Sequence, residues 1–154
     1  RTNDSDLGPW SETWNFTLQP SVNITMINDT VDFGVLDLNA VENTSDDVPI
    51  PFRFRNDGNT MADLYNVTVD RPLFDTQPFN TKYWLIKARS SNSFNQSGSN
   101  ITWINVTSPM DYLVRGFNNT DGNDNLSIDL GVEVPGYETA GVKNSTLTFY
   151  WVSQ

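Results

Sequence analysis

A chain of 154 residues is long enough to bury one hydrophobic core. Its net charge of −10 and pI near 4.1 set it against the phosphates of nucleic acid. With no Cys and no His it has no disulfide, no thiolate or imidazole metal site, and neither a Ser–His–Asp nor a Cys nucleophile template.

Residues 1–27 read as an N-terminal arm and 28–154 as the folded domain. The first thirteen residues are polar, around Gly8-Pro9 and Trp10, and begin at Arg1 without an apolar leader, as a processed or trimmed chain would. Short strands over 14–18 and 22–27 flank Gln19-Pro20. Pro removes a ladder donor, so this segment is an edge strand, a strand that switches sheets, or one that pairs outside its own domain. Trp10 and Trp14 have little to bury against in an isolated domain, which suits them to a neighbouring subunit; an arm folded onto its own sheet is the equal alternative. Val31–Leu38 reads as a strand with Gly34 as a bulge, and 39–47 as a polar loop.

Ile50–Val69 is the clearest stretch. Ile50, Phe52 and Phe54 alternate with Pro51, Arg53 and Arg55; Tyr65, Val67 and Val69 alternate with Asn66 and Thr68. Between them Asn56-Asp57-Gly58-Asn59 is a strong reversal signal. The pattern predicts a hairpin with Asn66 on its wet face. Asp70–Thr81 follows as a loop with Leu73, Phe74 and Phe79 tucked beneath it. Strands are expected over Tyr83–Ala88, Ile101–Val106, Tyr112–Phe117, Leu126–Val134 and Ser145–Val152. A polar loop spans Arg89–Asn100, and an acidic turn Asn118–Asn125. No segment has helical periodicity, and no apolar run approaches the ~18 residues of a membrane span. The expected fold is all-β: an immunoglobulin-like or jelly-roll β-sandwich of about nine strands with an extended N-terminal arm.

Little here carries catalysis. Asp46, Asp47, Asp121, Asp124 and Glu138 are expected as solvated turn charges, so no enzyme is read. Asp121, Asn123 and Asp124 offer oxygen ligands suited to calcium, although the turn lacks the full calcium-loop spacing and an Asn/Asp turn without metal is the plainer reading. Trp84, Trp103 and Trp151 are expected in the core. The denser signal is N-x-Ser/Thr. Such sequons start at Asn3, Asn15, Asn23, Asn28, Asn43, Asn66, Asn95, Asn100, Asn105, Asn118, Asn125 and Asn144, twelve of nineteen Asn residues. Chance predicts about four. Heavy N-glycosylation without disulfides points to an extracellular protein of an archaeal surface, with Asn105 and Asn125 close to strands and open to shielding.

The runs VDFGVLDLNA, PIPFRFRNDGNTMADLYNVTV and VEVPGYETAGVKNSTLTF resemble a pattern of archaeal surface proteins. In it a strand ending FG-x-L leads through a polar loop to a strand ending in N-D/T-G-N and then one of V-x-V type. The first half also resembles the TasA-like β-sandwich of bacterial biofilm fibres and archaeal bundling pili. The likeness covers about Val31–Val69 and Val132–Phe149. It implies a homopolymeric, pilus-like filament built by donor-strand complementation, in which an N-terminal strand of one subunit completes the next subunit's sheet. The donor would be Trp10–Ile27, anchored by Trp10, Trp14, Phe16 and Leu18. An S-layer or cell-wall-associated sandwich without exchange is one alternative. A carbohydrate-binding module reading cell-surface glycans through exposed Trp is another.

Overall fold

The computed structural model describes residues 17–154. They form two antiparallel sheets packed face to face, a β-sandwich. The strands are β1 (Ile24–Asn28), β2 (Val41–Asn43), β3 (Phe52–Asn56), β4 (Ala62–Val69), β5 (Trp84–Ala88), β6 (Ile104–Asn105), β7 (Met110–Phe117), β8 (Asn125–Glu133) and β9 (Leu147–Ser153). One sheet runs β1-β3-β8-β5-β6, with β2 beside the second half of β8; the other runs β7-β4-β9. Alternation builds the core. Phe52 and Phe54 of β3, Leu64 and Val67 of β4, Trp84 and Ile86 of β5, and Leu126, Ile128, Leu130 and Val132 of β8 are buried between the sheets. Phe149 crosses the gap edge-on to Phe52 and Phe54, with ring centroids 5.3 and 5.0 Å apart, the geometry that ring quadrupoles favour.

Several expectations are corrected. Phe52–Asn56 and Ala62–Val69 are not a hairpin: β3 pairs with β1 and β8, whereas β4 pairs with β7 and β9. Asn56-Asp57-Gly58-Asn59 instead carries the chain from one sheet to the other. Buried Asn56 ties this crossing together. Its amide donates to Thr60 O and Phe117 O, and its Oδ1 accepts from Gly58 N. Tyr65 faces outward beside Tyr150, because the ladder slips between Leu64 and Asn66; Asn66 stays on the outer side but is half-buried. Ile50 is exposed.

Val31–Leu38 is not a strand. Asp32 Oδ1 accepts the Gly34 N–H at 2.8 Å, and Gly34 takes φ +66°, which breaks the extended run. Val31, Phe33 and Leu36 still pack on the core, while Val35 is fully exposed. Ile101–Val106 keeps only a two-residue strand. The Arg89–Asn100 loop is folded around buried Phe94 and Ser93, with a turn of 3-10 helix at Gln96–Gly98. Trp84 is buried and Trp151 packs against the core, but Trp103 stands on the outer face over Lys87.

Candidate functional site

The sandwich is closed unevenly. On one side the free edge of β7 is covered by the 93–100 segment, through Asn95 N–H to Arg115 O, Asn100 N–H to Leu113 O and Asn118 N–H to Ser93 O. On the opposite side β1 and β9 are the outer strands of their sheets. Among the described residues no backbone group pairs with β9 on the side away from β4. The cross-strand partners Val69, Val67 and Leu64 are buried, yet Leu147, Phe149 and Trp151 opposite them are only half-buried. Met26 shares the inner face with Phe54 and is 38% exposed. Between these walls lies an apolar groove of about 290 Å³, with Phe54 at its base. An uncovered strand edge beside unfilled apolar positions is a template for another strand.

The root of the N-terminal arm is clamped at one end of this seam. Asn59 receives the Ser21 N–H on Oδ1 at 2.7 Å and donates its amide to Gln19 O at 3.0 Å. Asp57 N–H and Asn59 N–H donate to Asn23 O and Ser21 O. Thr25 Oγ1 donates to the Asp57 carboxylate, which also takes the Arg55 guanidinium at 2.6 Å. The carboxyl of Asp57 is held below the ordinary Asp range, chiefly by Arg55 and then by Thr25. Gly58 sits where a Cβ would stand 2.4 Å from Ser21 O and 2.9 Å from Asn23 N. It is glycine for close passage of the arm's root. Ile24–Ile27, the end of the segment read as donor, lies in its own sheet as edge strand β1. Leu18 is exposed. Trp10, Trp14 and Phe16, with Asn3 and Asn15, lie outside the described residues.

Two charged clusters pin loops elsewhere, and one of the carboxylates expected as a solvated turn charge, Glu138, is buried instead. Asp129 of central β8 is fully buried. It accepts from Arg89 Nη2 at 2.6 Å, Arg89 Nε at 3.2 Å and Thr44 Oγ1 at 2.9 Å. Arg89 reaches on to Thr44 O and to Asp47, itself paired with Arg53. Asp129 first, and Asp47 after it, raise the Arg89 pKa. Glu138 is also buried. It accepts the Asp75 and Thr76 N–H groups and the Lys143 ammonium at 2.6 Å. Burial pushes its carboxyl up, but Lys143 and Thr76 outweigh it and hold the pKa down to about 2. Sequence alternation hides both, because Asp129 falls on a polar parity and Glu138 after a Pro-Gly break.

The described sequons differ in their amides. Asn23 is exposed. Asn28 gives its amide to Thr30 O, Ile50 O and Pro51 O. Asn100 gives its own to Tyr112 O, Asn105 to Asn80 and Asn125 to Asp124. Asn66 Oδ1 is buried without a partner. Asn43, Asn95, Asn118 and Asn144 accept through Oδ1, from Ser45 N, Ser97 Oγ, Thr120 N and Arg71. Asp121, Asn123 and Asp124 sit on the β7–β8 turn, closed by Asn123 N–H to Thr120 O. Among the described residues no three His, Cys, Asp or Glu side chains group as a metal site, and no helix is long and apolar enough to cross a membrane. No protein-family model, curated protein or solved structure matches the chain.

Proposed function

We propose that the chain is a structural subunit of a glycosylated extracellular filament, assembled head to tail by donor-strand complementation. The observation that carries this reading is the β1–β9 seam, which the described residues leave open like a sandwich lacking one strand. The donor is the Trp10–Leu18 segment of a neighbouring copy. Trp10, Trp14, Phe16 and Leu18 fall at even positions, so one face of an extended strand presents all four. Laid along the free edge of β9, that face meets Leu147, Phe149, Trp151 and Met26. Main-chain pairing supplies continuous affinity and the alternate side chains set register. Each apolar anchor contributes about 1.5–3 kcal/mol. Association costs roughly 4–15 kcal/mol, so anchors and main-chain bonds are both required. Because donor and acceptor are different surfaces, the contact propagates rather than closing. Fully extended, residues 10–18 span about 30 Å, and they leave the Asn59 clamp at Gln19 directly, so the accepting subunit abuts the clamp.

Negative-stain electron microscopy of the natively purified protein through a dilution series tests this. Long uniform fibres are expected. The chain lacking residues 1–18 is expected to be a folded monomer that takes up a Trp10–Leu18 peptide one to one. Fibres formed equally well by the truncated chain, or full-length protein that stays a monomer, would overturn the proposal.

A further inference from the structure

The outer face of the larger sheet carries a second groove, of about 130 Å³. Cross-strand pairing sets one row of residues across it: Asn43 of β2 opposite Gly131 of β8, Gly131 opposite Leu85 of β5, and Leu85 opposite Asn105 of β6. Directly opposed residues share a face about 5 Å apart. With no side chain on Gly131, the floor between Asn43 and the next strand is open. Trp103 fills that floor. Its ring atoms stand 3.6 Å from where a Gly131 Cβ would be, and the Lys87 ammonium holds the ring from 4.5 Å. The far wall is polar, made by the Lys82–Glu133 ion pair at 2.6 Å.

Asn43 itself lines this groove and opens the sequon Asn43-Thr44-Ser45. Its Oδ1 is held by the Ser45 N–H at 2.9 Å, and its amide nitrogen makes no hydrogen bond in the described chain. The next residue, buried Thr44, is held by Asp129 and by the Leu130 N–H, which fixes the backbone that presents Asn43 to the groove. An aromatic floor flanked by an ammonium and a carboxylate suits a sugar ring, whose C–H face stacks on the indole while its hydroxyls meet the charges.

We propose that Asn43 is a glycosylation site and that Trp103 is the seat of its first sugar, which lies across Gly131. This rests on the reading of the chain as N-glycosylated. The glycan would then be part of the folded surface and would shield the outer face of the sheet.

The test uses the natively purified full-length protein. Glycopeptide mass spectrometry reads the occupancy of each sequon, and NMR reads the sugar protons. Asn43 is expected to be occupied, with its proximal sugar protons shifted upfield and in Overhauser contact with the Trp103 indole. Trp103→Ala is expected to leave occupancy unchanged and return those protons to free-glycan positions. Trp103→Phe, which keeps an aromatic floor, retains part of the shift. The Overhauser contact needs no variant and stands if Trp103→Ala fails to fold. An occupied Asn43 with neither shift nor contact overturns the inference, as does a bare Asn43 beside other occupied sequons; in both cases glycosylation itself stands. Sugar at no sequon overturns both.

Discussion

Asp129 shows what a single residue does when an alternating strand is central. Its side chain points to the outer face, where alternation would leave a carboxylate in water, yet Thr44 and Arg89 cover it and it is wholly buried. A buried carboxylate is tolerated only when paired and fully hydrogen-bonded, and Arg89 supplies most of that pairing. Removing one partner of such a pair costs about 3–5 kcal/mol, whereas replacing both by apolar residues is often neutral. Arg89→Met is therefore expected to destabilise the fold by about 3–5 kcal/mol, read from urea midpoints. Arg89→Met with Asp129→Leu recovers most of the loss. The remainder measures the bonds of Arg89 to Asp47 and Thr44 together with those of Asp129 to Thr44 and Lys87. Additive losses in the double variant would show that Arg89 acts mainly through the loop and not through the buried carboxylate.

At the scale of elements, most strands were legible because period-two alternation survives wherever one face is buried; β3, β5, β7, β8 and β9 all lie within a residue or two of the expected stretches. Pairing was not legible. Asn56-Asp57-Gly58-Asn59 has the composition of a hairpin turn, but its side chains serve two other segments: Asn56 holds the end of β7 through Phe117 O, and Asn59 holds the root of the arm. Turn chemistry states that the chain reverses, and not which sheet it enters next. The open seam between β1 and β9 was hidden for the same reason. Leu147, Phe149 and Trp151 read as ordinary inward residues, and only the strand order reveals that no strand of the described residues lies beyond β9 to finish their burial. The clamp makes a specific demand on Gly58. A methyl there meets two backbone atoms, which cannot rotate away, and overpacking of this kind costs about 1–3 kcal/mol. Gly58→Ala is expected to lose that much stability and to lift residues 19–23 off the crossing, with faster hydrogen exchange at the Asp57 and Asn59 amides. Unchanged exchange there would mean that the root is held from elsewhere.

For the whole molecule, the charge inventory dictates a flat stability profile with a sharp acid limb. Without His or Cys, none of the side chains with resolved shifts titrates between pH 5 and 10. Glu138 is held at about 2, against 4.5 for an ordinary Glu, and Asp47, Asp57 and Asp70 all lie below their ordinary 3.8. For a lowered carboxyl the unfolded chain binds protons first. Its stabilisation is complete above the unfolded value and is lost as pH falls toward the folded one. For Glu138 the loss runs from about 4.5 down to 2 and amounts to at most about 3 kcal/mol. Lys82 and Lys143, raised above 10.5 by Glu133 and by Asp75 and Glu138, act oppositely. Their contribution is present below 10.5 and is lost as pH climbs through the raised values. Relief of the −10 net charge pulls the other way on acidification. At physiological salt, however, exposed charges are screened beyond about 8 Å, whereas the Lys143–Glu138 pair at 2.6 Å is not. The paired carboxylates therefore win. Urea midpoints are expected to be level from pH 5 to 9 and to fall steeply below 4.5. Glu138→Gln is expected to lower the plateau and flatten that limb together. A midpoint that rises as pH drops from 5 to 3 would show that relief of self-repulsion dominates instead.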